Sequence, residues 1–163
     1  MLAIRSATPA DVALLLQMIR EFAEFERELD QVEITTEDLL RDGFGPEPRF
    51  HALLADWDGE PAAYAVYFLI YSTWAGRPLL FLEDLYVRPQ FRSQKIGKTL
   101  LQYLAGIARE QNCYGMRWEV IDWNTPAIEF YRSIGAQVGA TDRLPVLFTG
   151  RTFQEFGSER KAG

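Results

Sequence analysis

Glu83 and Asp84 stand side by side inside an apolar run, Leu79 to Val87 (LLFLEDLYV). A strand of that composition is buried. A carboxylate held in one has its pKa raised, which suits it to accept a proton near neutral pH. Successive strand residues point to opposite faces, so the pair divides. Glu83 is the candidate base, and Asp84 is secondary. A structural carboxylate locked in an ion pair would satisfy the same pattern.

The residues after this strand suit an anion. Pro89 ends the ladder because it has no N–H to give. A polar, basic turn runs from Gln90 to Lys95. A helix follows, with Ile96, Leu100, Leu101, Leu104 and Ile107 on one face. The first turn of a helix leaves backbone N–H groups unpaired and carries the positive end of its dipole, and phosphate is the usual guest of such a turn. Arg92, Lys95 and Lys98 add positive charge at the same place. An ordinary strand-to-helix connection would look similar.

The surrounding elements must position these groups. Leu2 to Arg5 reads as a first strand. Thr8 caps a helix with Pro9 at its first position, and that helix runs to about Glu28. Its end gathers Glu21, Glu24, Glu26, Glu28 and Asp30. Carboxylates there oppose the helix dipole, so either a cationic ligand or a solvated charged end accounts for them. A second helix starts at Thr35–Asp38 and ends at Gly43. Arg49 to Asp56 is a strand, Asp58-Gly59 a hairpin turn, and Ala62 to Tyr71 a nearly continuous apolar strand. Beyond the central helix, Tyr114 to Ile121 reads as a strand. Thr125 and Pro126 open a short helix closed by Gly135. Gln137 to Gly139 and Pro145 to Phe153 read as closing strands. Residues 157–163 form a polar, loose tail. There is no repeat and no linker, so one domain over residues 1–163 is expected.

Composition narrows the function. The 163 residues carry a formal charge of −6, which disfavours nucleic acid and would steer a cationic substrate. The single cysteine, Cys113, rules out an internal disulfide and fits a reducing, cytoplasmic setting; it receives no catalytic role. The single histidine, His51, excludes a His-rich metal site and a zinc finger, so no metal is expected. No apolar run approaches the roughly 20 residues of a membrane span, and no membrane partner is expected.

The stretch from Phe81 to Ile107 resembles motif A of the GNAT superfamily of N-acetyltransferases. In that family the turn reads Arg or Gln, two residues, Gly, one residue, then Gly or Ala. Here it reads Arg92, Ser93, Gln94, Lys95, Ile96, Gly97. Arg92 and Gly97 match, while Lys95 replaces the central glycine. Glycine lets backbone approach phosphate closely, so Lys95 either compensates as a charge or weakens the hold. The segment DWN followed by AIEFYRSIGA resembles motif B of the same family. EDLLRDGFGPEP, YSTWAGR and LEDLYV resemble its diamine (spermidine/spermine) and thialysine branches.

The resemblance implies an α/β (α+β) fold with a mixed, mostly antiparallel sheet and helices on both faces. It implies acetyl-CoA as co-substrate, a small primary amine as acceptor, and a homodimer. Glu83 would serve as base through water, and Tyr131 as the acid for the departing thiolate; on pattern alone Tyr131 reads as a core aromatic. Leu85, Tyr86 and Val87 would offer backbone groups to the pantetheine arm. Arg92, Ser93, Gln94, Lys95, Ile96, Gly97 and Lys98 would hold the pyrophosphate. Asn124 and Pro126, at the head of the Tyr131 helix, complete the cofactor set. Glu26, Glu83 and Asp84 would meet the amine. Two positions depart from the diamine pattern: Ser72-Thr73 stands where an acidic residue is usual, and Leu144-Pro145 where an aromatic is usual. Both departures argue for a shorter amine or an amino-acid side chain. Acetylation of a protein or peptide amine, or weakly catalytic binding of acetyl-CoA, are the alternatives.

Overall fold

Alternating burial along a two-residue period builds the sheet, and a 3.6-residue period builds the helices that cover it. The computed structural model describes residues 1–139 and 146–158. They form two units, Met1–Ile121 and Asp122–Gly163.

The first unit contains a five-stranded sheet in the order β1-β2-β3-β4-β5. The strands are β1 (Leu2–Ser6), β2 (His51–Trp57), β3 (Glu60–Ser72), β4 (Arg77–Val87) and β5 (Met116–Arg117). Three neighbouring pairs are antiparallel, and β4 with β5 is parallel. The sheet is therefore mixed and mostly antiparallel, as expected. Asp58 and Gly59 make the β2–β3 turn with φ of 51° and 86°. Two left-handed residues match the twist of the flanking strands, which is why Asp-Gly suits the position.

Helices α1 (Val12–Glu26) and α2 (Thr36–Phe44) pack on one face. Leu15, Met18, Leu39, Leu54 and Tyr64 are fully buried between them and the sheet. Thr35 and Asp38 cap α2 reciprocally, with the Thr35 Oγ1 accepting from the Asp38 N–H at 3.2 Å. Helix α3 (Ile96–Glu110) packs against β3 and β4, burying Ile96, Leu100, Leu101, Leu104 and Ala108. The alternate residues Leu53, Ala55, Ala63 and Ala65 are buried on the opposite face from Leu54 and Tyr64. A bidentate ion pair ties α1 to the end of β4. Arg88 Nε and Nη2 donate to Glu21 at 2.8 and 2.7 Å, and Nη1 donates to the Pro61 carbonyl at 2.9 Å. Arg88 holds the Glu21 carboxyl below its usual range. One member of the acidic cluster at the end of α1 thus has a structural role.

Strand β5 is shorter than Tyr114–Ile121. Only Met116 and Arg117 pair, with Leu80 and Phe81. The cause lies in β4. Val66 of β3 faces Asp84 and Tyr67 faces Leu82, so Glu83 is an extra residue with no partner across the ladder. Such a bulge bends and twists its strand, and the pairing with β5 stops two residues before it.

The second unit holds α4 (Thr125–Ser133) and α5 (Gly150–Ser158). Asn124, not Thr125, caps α4, its Oδ1 accepting from the Ala127 N–H at 3.4 Å; Pro126 is the second helical residue. Gly135 has φ of 90°, and α4 ends just before it. The expected closing strands are absent among the described residues. Residues 137–139 and 146–149 are irregular, and α5 takes over the second span from Gly150 onward. Phe153 and Phe156, three residues apart, both pack on Phe148, with ring centroids 5.7 and 5.5 Å away. Arg151 and Glu155 pair one turn apart at 2.6 Å. That is a helical period, which the β-rich run before it disguises. Gly157 and Ser158 belong to α5; Leu144, Pro145 and residues 159–163 lie outside the described residues.

Candidate active site

The bulge in β4 changes the geometry expected of the two carboxylates. Glu83 and Asp84 do not divide between opposite faces; both line one cavity of about 410 Å³. Ile19 of α1, Ile34, Leu39 of α2, Phe50, Val66 and Phe68 supply apolar walls, and Arg49 contributes a cation. Nothing in the composition of LEDLY announces an extra residue, so the strand's regular period is misleading here.

The burial expected of Glu83 belongs instead to Asp84. Glu83 is exposed, whereas Asp84 is partly buried. Burial pushes the Asp84 carboxyl up to about 6, with the Glu83 charge adding and a hydrogen bond from Tyr64 opposing. The Tyr64 hydroxyl donates to Asp84 Oδ2 at 3.0 Å from a fully buried position. The Tyr64 phenol is itself held well above its usual range, by burial and by the Asp84 charge. Tyr64 lies in an apolar strand and gave no sign in the sequence of bearing on the site.

Glu26 is the last residue of α1 and partly buried. Its carboxyl is raised by burial, then by Glu28 and Asp84. Glu26 and Asp84 thus sense one another's charge. Two carboxylates raised in this way are relieved when a cation settles beside them.

Beyond the bulge, Leu85, Tyr86 and Val87 pair with Ala65, Tyr64 and Ala63 on one side. The pairing with β5 on the other side is confined to Leu80 and Phe81. The first unit therefore leaves an edge of β4 open, where an extended chain can lie like an added strand. Tyr86 is buried, its ring 5.6 Å from that of Phe22.

The turn that follows has a backbone geometry that suits an anion. Ser93 and Lys95 both have left-handed backbone, φ 71° and 60°. Left-handed residues in a turn make concavities of converging amides. No side chain caps α3, so its first N–H groups are not taken from within. Ser93, Gln94, Lys95 and Lys98 are exposed, while Ile96 is buried as an anchor. Arg92 lies over the Phe25 ring at 4.6 Å, and its Nε donates to the Val87 carbonyl at 3.2 Å. Lys95, which stands at the motif glycine's position, thus has the left-handed backbone that glycine adopts most readily. A Cβ placed on Gly97 would meet Val87 Cγ2 at 3.6 Å, an ordinary contact.

Tyr131 lies on α4, its ring 5.5 Å from that of Phe130. Asn124 spends its Oδ1 on the helix cap.

A sequence model of the acetyltransferase (GNAT) family matches residues 15–136. The thialysine N-epsilon-acetyltransferase of Sus scrofa is 43% identical over 142 residues, covering 82% of this chain and 83% of that protein. The spermidine/spermine N(1)-acetyltransferase-like protein 1 of Homo sapiens is 37% identical over 140 residues, 82% of this chain but 20% of that longer protein. Among solved structures, an integron cassette protein from the mobile metagenome of V. cholerae superposes with a TM-score of 0.79 at 21% identity, covering 96% of this chain and 97% of that one.

Proposed function

We propose that this chain, which belongs to the acetyltransferase (GNAT) family, transfers an acetyl group from acetyl-CoA to the primary amine of a small molecule. The observation that carries the reading is the 410 Å³ cavity with apolar walls and the paired carboxylates Glu83 and Asp84. An aliphatic amine needs an apolar channel for its methylenes and anions for its ammonium. The similarity to a thialysine acetyltransferase, and to a spermidine/spermine acetyltransferase-like protein, supports the same class of acceptor.

Acetyl-CoA supplies the activated thioester. Arg92, Ser93, Gln94, Lys95, Ile96, Gly97 and Lys98 hold its pyrophosphate through turn amides and charge. Leu85, Tyr86 and Val87 offer their open edge to the pantetheine arm. Asp84 and Glu26 attract the ammonium. Glu83, exposed to water, takes the proton that must leave before nitrogen attacks the thioester carbon. A C–N bond forms, the C–S bond breaks, and the sulfur receives a proton, the role that resemblance assigns to Tyr131. No covalent enzyme intermediate is required.

A homodimer belongs to the same reading. Leu69, Ile70, Tyr71 and Trp74 are exposed toward the tip of the β3–β4 hairpin, apolar side chains that a second copy would cover. Sedimentation at two concentrations tests it.

The function is tested by thiol release from acetyl-CoA across polyamines, lysine analogues, aminoglycosides and peptides. Turnover of short amines or lysine analogues is the expected result. Turnover of peptides alone would identify a protein acetyltransferase. Thermal stabilisation by acetyl-CoA without thiol release would leave only a binding protein.

A further inference from the structure

One charge in the cavity has no part in the scheme above. Arg49 lines the same space as Glu83 and Asp84. Its place is fixed by the backbone, where the Arg49 N–H donates to the Asp42 carbonyl at the end of α2. Its side chain is 81% exposed, so it stands at the mouth, while Asp84, bonded to buried Tyr64, marks the inner end. The apolar side chains of Ile34, Leu39, Phe50 and Phe68 line the same cavity. The one ion pair of Arg49 among the described residues is loose, Nε to Asp42 at 3.4 Å. Such a surface pair is worth little and is readily exchanged for another carboxylate. Guanidinium is the side chain best shaped to take a carboxylate bidentately.

The cavity thus offers carboxylates, apolar walls and one cation. It complements a molecule with an ammonium at one end, methylenes between, and a carboxylate at the other. A diamine or polyamine would instead bring a second ammonium toward Arg49, like charge to like.

We infer that Arg49 is a specificity-determining residue that receives the carboxylate of an amino-acid substrate whose side-chain amine is the acetyl acceptor. The inference rests on the amine-acetylating function proposed above and names its substrate class. Basic amino acids with three or four methylenes before the amine are preferred over the diamines of the same length.

The test compares lysine with cadaverine, and ornithine with putrescine, pairs that differ only by the carboxylate. In the unaltered protein kcat/KM favours the amino acid roughly fivefold or more, the scale of one charge contact at an exposed site. Arg49→Gln brings each ratio near one by raising KM for the amino acid, with the diamine changed less than about twofold. Arg49→Glu reverses the preference. The site is exposed, so both variants fold, and an unchanged Tm confirms it. Equal or better use of the diamines by the unaltered protein overturns the inference, as does an equal loss on both substrates in Arg49→Gln. Thiol release with none of the four, but with other amines, also overturns it while leaving the acetyltransferase reading intact. No release with any amine overturns both.

Discussion

Asp84→Asn should stabilise the protein, and by an amount that depends on pH. In the folded chain the Asp84 carboxyl is pushed up to about 6 from 3.8. Between those values the native state binds a proton that the unfolded state has released, so stability falls as pH rises through the window. Below about pH 3 the carboxyl is protonated in both states and carries no penalty. Above about pH 7 it is ionised in both, and the folded state bears the full cost. Roughly two pH units at about 1.4 kcal/mol each make that cost about 3 kcal/mol. Asparagine has the shape of the protonated acid, does not titrate here, and keeps an oxygen for the Tyr64 hydroxyl. The variant should therefore match the parent near pH 4.5 to within about 1 kcal/mol and exceed it by about 3 kcal/mol at pH 8. In a chain of this length that is a Tm gain of roughly 6–12 °C at the higher pH. Urea unfolding at five pH values between 4.5 and 8 measures it directly, and amine turnover should fall as stability rises, because the ammonium loses a carboxylate. A stability gap that stays constant across the series would refute the reasoning, since it would mean the Asp84 charge costs the fold nothing.

Lys95 and Tyr131 give two further tests. Lys95→Gly releases left-handed backbone that costs a side-chain-bearing residue about 1 kcal/mol, partly offset by the greater freedom of unfolded glycine; a stability change between 0 and about +1 kcal/mol is expected. The same variant loses a cation, so acetyl-CoA affinity should fall several-fold with a shallower salt dependence, and Lys95→Ala should lose the affinity without gaining stability; calorimetry with acetyl-CoA at two ionic strengths reads both. Tyr131→Phe should lower kcat by roughly a hundredfold, a typical share for a proton donor, while the acetyl-CoA dissociation constant stays within about twofold; steady-state and binding measurements together would expose a purely structural role.

Much of the first unit was legible because its local signals agree. Thr35 with Asp38, Asp58 with Gly59, and the stripe from Ile96 to Leu104 each specify an element by a mechanism that acts within a few residues. The basic turn was legible for the same reason, though only coordinates reveal that Ser93 and Lys95 take left-handed backbone. The roles of Glu83 and Asp84 were misjudged in burial because a bulge leaves no trace in composition. Tyr64 and Arg49 could not be found by pattern, since one acts across strands and the other from a loop. In the second unit the apolar run before Phe153 suggested a strand, and the spacing of Phe153 and Phe156 settled a helix.

The unpaired residue in β4 also limits how this strand can change. Its neighbours are replaceable one at a time, but its length is not. Removing a single codon there would restore an unbroken ladder and leave the flanking pairs as they are, so the sheet would survive while two adjacent side chains could no longer share one side and line the cavity together. Diversification of acceptor choice along Leu82 to Tyr86 is therefore open to substitution and closed to insertion or loss. A library that varies this segment should hold its residue count fixed.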